Sequence, residues 1–424
     1  MFDYRQYSDE CVKCGKCIPV CTIHQVNPDE TTSPRGFIHL LGAYEKGKLD
    51  LDMNAKNIFE SCFLCTNCTD VCPANLPTDM MIEQVRYDIA EKYGITWYKR
   101  MFFWLLRHRK TMDLLAKLGF IFKSCAVKSI PSKNAILPRF SLPVVKSGRL
   151  LPALKSISFL NKYPEKIQFS EEQTEKPQRV AIFIGCMANY SYTEVGDSLL
   201  FVLKKLGIDV FIPKDQLCCG APAYFTGDFA TVDYLIKNNI EYFETWLDDV
   251  DRILVPEATC SSMMINDWVH FLHDQPEWQE RAKKVVAKAS IATEWLYKST
   301  HLEELLKKKK AQPISVTYHD PCHARKTQGV FKEPRALLNA TYTMKEMSDP
   351  NRCCGFGGVT MQTEKYEFSK AAGLPKAAMI KETGADVVAA ECSACRMQLT
   401  NAMYQHGTEA TFKHPVELIA EALR

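Results

Sequence analysis

Two identical cysteine runs near the N-terminus constrain this 424-residue chain more than any other feature. Both runs read C-x2-C-x2-C-x3-C, and together they contain Cys11, Cys14, Cys17, Cys21, Cys62, Cys65, Cys68 and Cys72. Thiols at such short offsets need tight loops, so the group that they bind forms much of the local core. Structural zinc is the alternative, but zinc is usually satisfied by two C-x2-C pairs and requires no further cysteines at these offsets.

The spacing resembles that of bacterial two-cluster ferredoxins, in which three cysteines of a run hold one cubane cluster and the fourth reaches across to the other. The resemblance assigns one [4Fe–4S] cluster to Cys11, Cys14, Cys17 and Cys72. It assigns the second [4Fe–4S] cluster to Cys62, Cys65, Cys68 and Cys21. Pro73 closes the second run, whereas Thr22 stands where the first run would carry a proline, which concerns only the local turn.

The cysteine content also bears on the cellular compartment. The 18 cysteines lie mostly at cofactor spacings rather than in a disulfide pattern, which favours a reducing cytoplasm. The segment Met1–Glu10 is polar and lacks the apolar core of an export signal. No uninterrupted apolar run of about 18 or more residues is present, so no membrane-spanning helix is expected.

Positive charge is concentrated between Trp97 and Lys162. This stretch has 14 Lys and Arg and one acid, Asp113, so it carries +13 and the rest of the chain carries −10 of the total of +3. Aromatic and basic residues mix at helical spacing in Trp97–Lys110, and a second apolar segment follows at Leu114–Phe122. The pattern predicts a helix at an anionic membrane surface, peripheral on the inner face of the cell membrane, or at a membrane-bound, quinone-reducing partner. A basic linker on an acidic partner, or on the acidic remainder of this chain, is the alternative; nucleic-acid binding is not expected beside redox clusters.

The second half of the chain, after a polar joint at Glu171–Gln178, is an internal repeat. Apolar strands precede the cysteines in both copies and are expected at Val180–Ile184, Asp209–Ile212, Arg252–Val255, Ile314–Tyr318 and Asp386–Ala390. The cysteines of the first copy are Cys186, Cys218, Cys219 and Cys260, and those of the second are Cys322, Cys353, Cys354, Cys392 and Cys395. The offsets between the copies are 136 for the first cysteine, 135 for the adjacent pair and 132 from Cys260 to Cys392.

Open α/β sheets explain why these cysteines should meet. Loops that leave the carboxyl ends of parallel strands converge on one crevice, so each copy can gather its thiolates around one centre. Soft thiolates select iron–sulfur clusters or zinc, and an adjacent pair suits two irons of one cluster better than one small cation. The glycine after each pair lets the backbone pass close to the site.

The pattern C-x(n)-CCG-x(n)-C-x2-C resembles the cysteine-rich CCG domain of heterodisulfide reductases. Two such domains behind a dicluster segment resemble the iron–sulfur subunits of glycolate and lactate dehydrogenases, and also the iron–sulfur subunit of anaerobic glycerol-3-phosphate dehydrogenase. The segment Ser33–Gly36 resembles the glycolate type, whereas Val26–Pro28 resembles the glycerol-3-phosphate type as much.

The resemblance implies an α+β multi-domain fold. We expect an α-helical ferredoxin domain with two [4Fe–4S] clusters at 1–95 and a basic helical linker at 96–176. Two tandem α/β CCG domains are expected to follow, at 177–308 and 309–424.

The two CCG copies differ in their predicted ligands. The second copy has five cysteines, for which the resemblance implies a noncubane [4Fe–4S] or related cluster, and it is the expected redox site. The first copy has four, because Met263 takes the place that matches Cys395 at the 132-residue offset. These four could hold zinc, could hold a cluster with one non-cysteine ligand, or could be a degenerate structural half. His319 and His323 flank Cys322 and are either hydrogen-bond donors to cluster sulfur or local packing residues.

No motif in the chain points to oxidation of an organic substrate. There is no G-x-G-x-x-G after a strand, no P-loop and no nucleophile–base constellation, so no catalytic residue is assigned. The resemblance implies an electron-transfer subunit of an oxidoreductase complex. A FAD-containing dehydrogenase subunit would oxidise a 2-hydroxy acid such as glycolate or lactate, and electrons would pass through this chain toward membrane quinone. The alternatives are the iron–sulfur subunit of an anaerobic glycerol-3-phosphate dehydrogenase, a disulfide-reducing catalyst at the second CCG copy, and a non-redox scaffold with zinc.

Overall fold

The structure, a computed structural model, describes residues 4–141, 145, 148–171 and 178–424. Within these ranges the chain forms a helical N-terminal domain, a connecting arm and two α/β domains, as the α+β multi-domain prediction requires. The polar joint expected at Glu171–Gln178 lies almost entirely outside the described residues.

The N-terminal domain is built from six helices around a small apolar core. They are α1 (Tyr4–Glu10), α2 (Thr22–Val26), α3 (Pro34–Glu45), α4 (Met53–Phe59), α5 (Asn67–Asp70) and α6 (Thr78–Tyr93). Helix α3 begins cleanly because Ser33 caps it, its hydroxyl accepting from the Gly36 amide at 2.9 Å, with Pro34 at the first helical position. The two cysteine runs lie in the loops before α2 and around α5, so the helices hold the loops from both sides.

The connecting arm follows as α7 (Trp97–Arg107) and α8 (Arg109–Ala126), and then a small antiparallel sheet. Its strands are β1 (Val127–Ile130), β2 (Ala135–Pro138) and β3 (Leu151–Pro152), followed by the short helix α9 (Phe159–Lys162). The predicted helices of the basic segment are therefore present, and the sheet was not anticipated. Phe103 is 0% exposed and packs with Leu106 into the core of the first α/β domain, so the apolar face of α7 is divided between core and surface.

The first α/β domain has a five-stranded sheet in the order β4-β6-β5-β7-β8. Its strands are β4 (Lys166–Ile167), β5 (Arg179–Ile182), β6 (Asp209–Phe211), β7 (Arg252–Val255) and β8 (Ala289–Ile291), all parallel except β4. Its helices are α10 (Cys186–Tyr190), α11 (Glu194–Lys205), α12 (Ala221–Tyr224), α13 (Phe229–Glu244), α14 (Ala258–Ser262), α15 (Trp268–Phe271), α16 (Pro276–Val286), α17 (Ala292–Ser299) and α18 (Leu302–Lys307). A π-helical turn at Met263–Asp267 joins α14 to α15.

The second α/β domain repeats this plan with four parallel strands in the order β10-β9-β11-β12. The strands are β9 (Ser315–Tyr318), β10 (Thr343–Met344), β11 (Val387–Ala389) and β12 (Thr411–Lys413). The helices are α19 (Cys322–Gln328), α20 (Lys332–Asn339), α21 (Gly358–Thr363), α22 (Tyr366–Thr383), α23 (Ser393–His406) and α24 (Pro415–Leu423). All five strands expected from the apolar runs are present, and their observed ends lie within two residues of the expected ones.

The strand register relates the two copies. In the first copy Val180 of β5 pairs with Arg252 of β7, and in the second Val316 of β9 pairs with Val387 of β11. The paired residues are 72 positions apart in the first copy and 71 in the second, so the offset of 136 that relates Cys186 to Cys322, after β5 and β9, becomes 135 along β7 and β11. This register decides which ligand positions correspond.

The N-terminal domain packs against both α/β domains. The buried Arg86 of α6 donates to the carbonyl oxygen of Cys62 at 2.7 Å and to that of Phe225, in the first α/β domain, at 2.8 Å. Cys353 and Met361, from the second α/β domain, belong to the same buried apolar cluster as Phe59 and Phe63. Among the described residues, no helix combines the length and the apolar character needed to cross a bilayer.

Candidate metal centres

The eight N-terminal cysteines line two small cavities. A cavity of about 30 Å³ is lined by Cys11, Cys14, Cys17, Cys68 and Cys72, and another of about 20 Å³ is lined by Cys21, Cys62, Cys65 and Cys68. The fourth cysteine of each run thus lies with the first three of the other run, as the ferredoxin resemblance implies. Cys68 borders both cavities because it sits between them. Their roles as cluster ligands stay a prediction.

Both cysteine loops use the same unusual backbone conformation. Lys13 and Leu64, one residue before the second cysteine of each run, have φ of 54° and 50°, and Thr66 has φ of 56° where the first run has Gly15 at 78°. Left-handed non-glycine residues cost about 1–3 kcal/mol each and persist where the surroundings impose them. The repetition of this strain at matching positions fits loops that wrap their amides around a cluster.

The second cavity touches the second α/β domain. The side chains of Cys65 and Cys353 interact across the domain boundary, and this interaction lowers the pKa of Cys65. Lys326, on α19, donates to the carbonyl oxygen of Cys65 at 3.1 Å. The hydroxyl of Thr22, the residue that replaces the expected proline, lies 3.4 Å from the Cys65 sulfur. The proline position of the first run therefore supplies a polar contact to Cys65, a predicted ligand of the second cluster.

In the second α/β domain, the five predicted cysteines form one continuous chain of thiol contacts. Hydrogen bonds link Cys322 to Cys353, Cys353 to Cys354, Cys354 to Cys395 and Cys395 to Cys392. The amide of Gly355, which has φ of 86°, donates to the Cys353 sulfur at 3.4 Å. An added Cβ on Gly355 would lie 2.9 Å from backbone atoms of α22, so only glycine fits here. The loops thus bring all five thiols together.

The four cysteines of the first copy form a matching chain. Hydrogen bonds link Cys186 to Cys218 and Cys218 to Cys219, and the sulfurs of Cys219 and Cys260 lie 3.5 Å apart. The order of contacts is the same as in the second copy. The first-copy contacts end at Cys260, whereas the second-copy contacts continue from Cys395 to Cys392. The indole of Trp268 fixes the pair by donating to the Cys219 carbonyl oxygen at 2.9 Å.

The structure corrects one correspondence expected from the sequence. Cys260 matches Cys395, not Cys392: each is the third residue of the helix after the sheet, α14 or α23, and the strand register gives the same offset of 135. The position that matches Cys392 is then Glu257, and Met263 matches Gln398. The cysteine spacing predicted the wrong match because the loops before Cys260 and Cys392 differ in length. The sheet register instead shows which residues occupy equivalent positions after the strands.

Glu257 is a functional candidate that the sequence reasoning missed. It is 4% exposed and lies beside Cys186, Cys219 and Cys260 in the wall of a cavity of about 200 Å³. The hydroxyl of Ser393 donates to one carboxyl oxygen at 2.6 Å and its amide donates to the other at 2.7 Å. Burial raises the pKa of Glu257, and these hydrogen bonds act in the opposite direction. Superposing the strand pairs rather than the cysteines would have revealed it.

The two copies share this cavity of about 200 Å³. Its wall contains thiols of both copies together with apolar side chains from all three domains, including Phe63, Phe102, Phe225 and Phe356. Polar contacts cross between the copies at its edge: the Thr259 hydroxyl lies 3.6 Å from the Cys392 sulfur and 3.2 Å from Nδ1 of His323. The carboxyl ends of both sheets therefore open onto one space.

The two candidate histidines differ in their surroundings. Nε2 of His319 lies 3.4 Å from the Cys395 sulfur, and the ring is fully buried. His323 contacts Thr259 rather than a thiol and stacks on Phe225, with ring centroids 5.5 Å apart. His319 thus meets a predicted ligand directly, whereas His323 packs at the boundary between the copies. Neither position is occupied by histidine in the first copy, where the register places Phe183 opposite His319.

The N-terminal and first-copy donor sets fit iron–sulfur clusters better than single ions. Among the described residues, His319, Cys354 and Cys395 are the one His/Cys/Asp/Glu group of three or more whose donor atoms all lie within 4.8 Å of one another. Tetrahedral zinc, with Zn–S bonds of about 2.3 Å, would hold its thiolates within about 4 Å of one another. The N-terminal sets and the first-copy set are more extended than this, as ligands around a larger inorganic core are.

The comparisons with known proteins agree with this architecture. A family profile described as "4Fe-4S dicluster domain" matches residues 7–76. A second profile, CCG, described as "Cysteine-rich domain", matches residues 180–265 and 316–400. The three matches coincide with the three groups of thiols described above.

Two curated proteins show how far the similarity extends. The "Probable glycolate oxidase iron-sulfur subunit" of Bacillus subtilis is 28% identical over 436 residues, covering 99% of this chain and 96% of that protein. "Lactate utilization protein A" of Halalkalibacterium halodurans is 32% identical over 244 residues, covering 57% of this chain and 96% of that protein. A solved structure, of a hypothetical protein from Helicobacter pylori, aligns over 100% of this chain and 77% of its own at a TM-score of 0.54 and 11% identity, which shows the fold alone.

Proposed function

Because the chain belongs to the family of iron–sulfur proteins that join a 4Fe-4S dicluster domain to two CCG domains, we propose that it is the electron-transfer subunit of a flavin-linked 2-hydroxy-acid dehydrogenase. The relatives named for glycolate oxidase and lactate utilization support glycolate or lactate as the substrate of the complex. The FAD-containing subunit would remove two electrons from the substrate, and this chain would pass them toward membrane quinone. Clusters bound at the cysteines supply one-electron transfer, and the protein positions them and tunes their potentials.

The contact between Cys65 and Cys353 carries the proposal, because it orders the cysteine sets. Cys14 is exposed, so a partner subunit can approach the Cys11–Cys17 set. The Cys62–Cys68 set follows, and Cys65 within it adjoins Cys353 of the second CCG copy. The second copy then shares its cavity with the first copy. Along these contacts, starting from the exposed set, the proposed order is N-terminal cluster, adjacent cluster, second CCG centre and first CCG centre.

Iron content tests the two N-terminal clusters. Anaerobically purified protein should contain at least about eight iron and eight acid-labile sulfide per chain. Cys65→Ser should remove one cluster, and the matched variant Cys125→Ser, a cysteine outside every predicted ligand set, should leave the iron content unchanged. Wild-type iron of four or fewer per chain would exclude two cubanes.

Reduction by substrate tests the partner. The complex with the encoded flavoprotein should bleach its iron–sulfur absorbance when glycolate or lactate is added, and glycerol 3-phosphate serves as the control substrate. Bleaching by glycerol 3-phosphate alone would instead favour the glycerol-3-phosphate dehydrogenase alternative. No bleaching by any of the three would overturn the proposed role.

Exposed apolar residues on the connecting arm support a membrane-facing role. Leu114, Leu115, Leu118, Ile121 and Phe122 of α8 follow one helical stripe and are 40–62% exposed. Trp97, Met101 and Trp104 form a second exposed stripe on α7. Exposed cations lie near these stripes and are Arg100, Lys110, Lys117, Lys128 and Arg139. Apolar residues flanked by cations suit the interface of an anionic bilayer.

Part of the basic segment serves the protein itself. Lys99 is buried and pairs with Glu364 at 2.7 Å, Lys155 pairs with Glu194 at 3.3 Å, and Lys162 pairs with Asp197 at 2.7 Å. The alternative of a linker packed on the chain's own acidic residues therefore accounts for some of the positive charge. The apolar stripes of α7 and α8 are exposed, whereas a linker that packed only on this chain would bury them. These stripes are therefore the part of the basic segment that a membrane could contact.

Vesicle binding tests the membrane proposal. The protein should bind vesicles that contain phosphatidylglycerol, and binding should weaken with salt because salt screens exposed charges. Leu115→Ser with Phe122→Ser should weaken it further, whereas Phe103→Ser is unsuitable because it would disrupt the core. Equal binding by the double variant and the parent would exclude α8 as the contact, and no binding at low salt would leave a protein partner for this face.

The shared cavity supports a second candidate function, disulfide reduction. Two electron-carrying centres that border one apolar cavity could deliver one electron each to a disulfide, with two protons from water giving two thiols. Steady-state assays with an artificial donor and a panel of organic disulfides distinguish the candidates. Turnover with disulfides but not with quinone analogues would favour the catalyst.

A further inference from the structure

We infer that the carboxylate of Glu257 is the fifth ligand of the first CCG centre, which makes that centre an iron–sulfur site held by four thiolates and one carboxylate. This inference rests on the proposed iron–sulfur role of the chain and names the ligand that the four first-copy cysteines lack. It replaces the zinc alternative for this copy.

The strand register supports Glu257 as the fifth ligand. Glu257 occupies the place that Cys392 holds in the second copy, immediately before the helix that carries the last shared cysteine. Cys392 ends the second chain of thiols through its hydrogen bond with Cys395, and Glu257 lies close enough to Cys260 for its charge to raise the pKa of that thiol. A donor of oxygen type has therefore replaced a donor of sulfur type at one of five equivalent positions.

The space around Gly185 also supports Glu257 as a ligand. An ideal Cβ added to Gly185, at the start of α10, would lie 2.9 Å from the Cys260 sulfur and 3.8 Å from Cγ of Glu257. The carboxylate and the thiol thus border one point above Gly185, and Cys186 follows directly. The absence of a side chain at Gly185 leaves room between these donors.

The hydrogen bonds of Glu257 are those of a ligand held in place. Ser393 donates to each of its two oxygens once, which leaves lone pairs on both oxygens for a metal. Ligating carboxylates are usually fixed by such outer hydrogen bonds. Ser393 directly follows Cys392, so its two hydrogen bonds also connect Glu257 to the chain segment that carries Cys392.

Iron suits this set better than zinc. Four thiolates already saturate a structural zinc, which would leave Glu257 buried beside the site without a function in it. A centre that uses an adjacent pair, two further thiolates and an oxygen donor has the donor number of the second copy. Iron accepts carboxylate as well as thiolate ligands, so one exchange of donor type is chemically reasonable.

Three variants of the full-length protein test the ligand. Glu257→Gln keeps an acceptor for the Ser393 amide but removes the anionic oxygen, so we expect it to lose the iron of the first centre, about four atoms per chain. Glu257→Cys supplies the donor of the second copy, so we expect full iron and an electron paramagnetic resonance signal of the first centre that moves to that of the second. Glu391→Gln is the matched control, since it alters an equally buried carboxyl that binds Thr293 and Tyr318 rather than lining the cavity.

The outcomes separate this inference from the proposed function. Unchanged iron and an unchanged signal in Glu257→Gln, or stoichiometric zinc in the first copy of the wild type, would overturn the carboxylate ligand and leave the other three centres as proposed. If Glu257→Gln does not fold, an unshifted signal in Glu257→Cys overturns it equally. If the wild-type protein shows no signals from the N-terminal clusters, the proposed function itself fails.

Discussion

The two CCG domains share one plan but differ in several of the side chains near their cysteines. The second copy has Cys392 and His319, where the first copy has Glu257 and Phe183. The second copy also adjoins the N-terminal clusters through Cys353, whereas the first copy meets them across the shared cavity. An internal repeat can thus keep its sheet and its chain of thiols while the side chains around the two sets of cysteines differ.

The matched variants Cys395→Ser and Cys260→Ser provide the strongest test of this difference. We expect Cys395→Ser to abolish electron transfer to quinone and to prevent reduction of the first centre as well, because in the proposed order electrons reach the first copy through the second. Cys260→Ser should remove the first centre and leave the second reducible. Electron paramagnetic resonance of dithionite-free, substrate-reduced protein measures both. A second centre that stays oxidised in Cys260→Ser would reverse the order.

The arm holds the two copies by different forces, and Lys99→Met tests this. Phe103 packs into the first α/β domain, whereas the buried Lys99 donates to the Thr360 hydroxyl at 2.9 Å and pairs with Glu364 of the second. Loss of a buried pair costs about 3–5 kcal/mol, and we expect the lower end because Glu364 is 28% exposed. Denaturant unfolding measures the loss. Lys110→Met, at an exposed position, should change stability by at most about 0.5 kcal/mol, and equal effects would contradict the assignment.

His319→Phe gives the second centre the surroundings of the first. The variant removes the ring nitrogen that lies 3.4 Å from the Cys395 sulfur, so we expect a more negative reduction potential at full iron content. Electron transfer should slow by roughly 10–100-fold, as is typical when a neighbour of a ligand is lost. Potentiometric titration measures the shift. His323→Phe is the control, and an equal shift there would show that packing, not the sulfur contact, is responsible.

A smaller, pH-dependent effect is expected at the joint between the copies. His414 caps α24 by accepting from the Val416 amide at 3.2 Å, so its proton lies on Nε2, which donates to the Pro256 carbonyl oxygen at 2.8 Å. Burial lowers the pKa of His414 to about 3. The unfolded chain protonates this histidine below about pH 6.5, so its contribution is complete above that pH and is lost as the pH falls toward 3.

His414→Asn tests this joint, because asparagine keeps the cap without titrating. Urea unfolding at about pH 7.5 and about pH 5.5 should show a smaller loss of stability in the variant than in the parent. His301→Asn, at an exposed position, should behave as the parent does. An unchanged pH dependence in His414→Asn would assign the acid sensitivity to other groups.

The local patterns of the sequence determined the elements and the donors. The doubled cysteine runs predicted two sets of ligands, because the short loops keep the thiols of each run close to one another. The strands β5, β7, β9 and β11 follow from apolar runs that end at cysteines, because a buried strand needs continuous apolar residues and its carboxyl end faces the crevice. Helices α7 and α8 follow from their periodicity, which does not reveal which apolar residues become core.

Only the tertiary structure decided how these parts meet. The contact of Cys65 with Cys353 joins residues 288 positions apart, and no local pattern encodes such a distance. The burial of Phe103 beside the exposed Trp104 depends on the domain that packs against α7. The match of Glu257 to Cys392 depends on sheet register, because strand pairing fixes positions in space while loops of unequal length shift them along the chain.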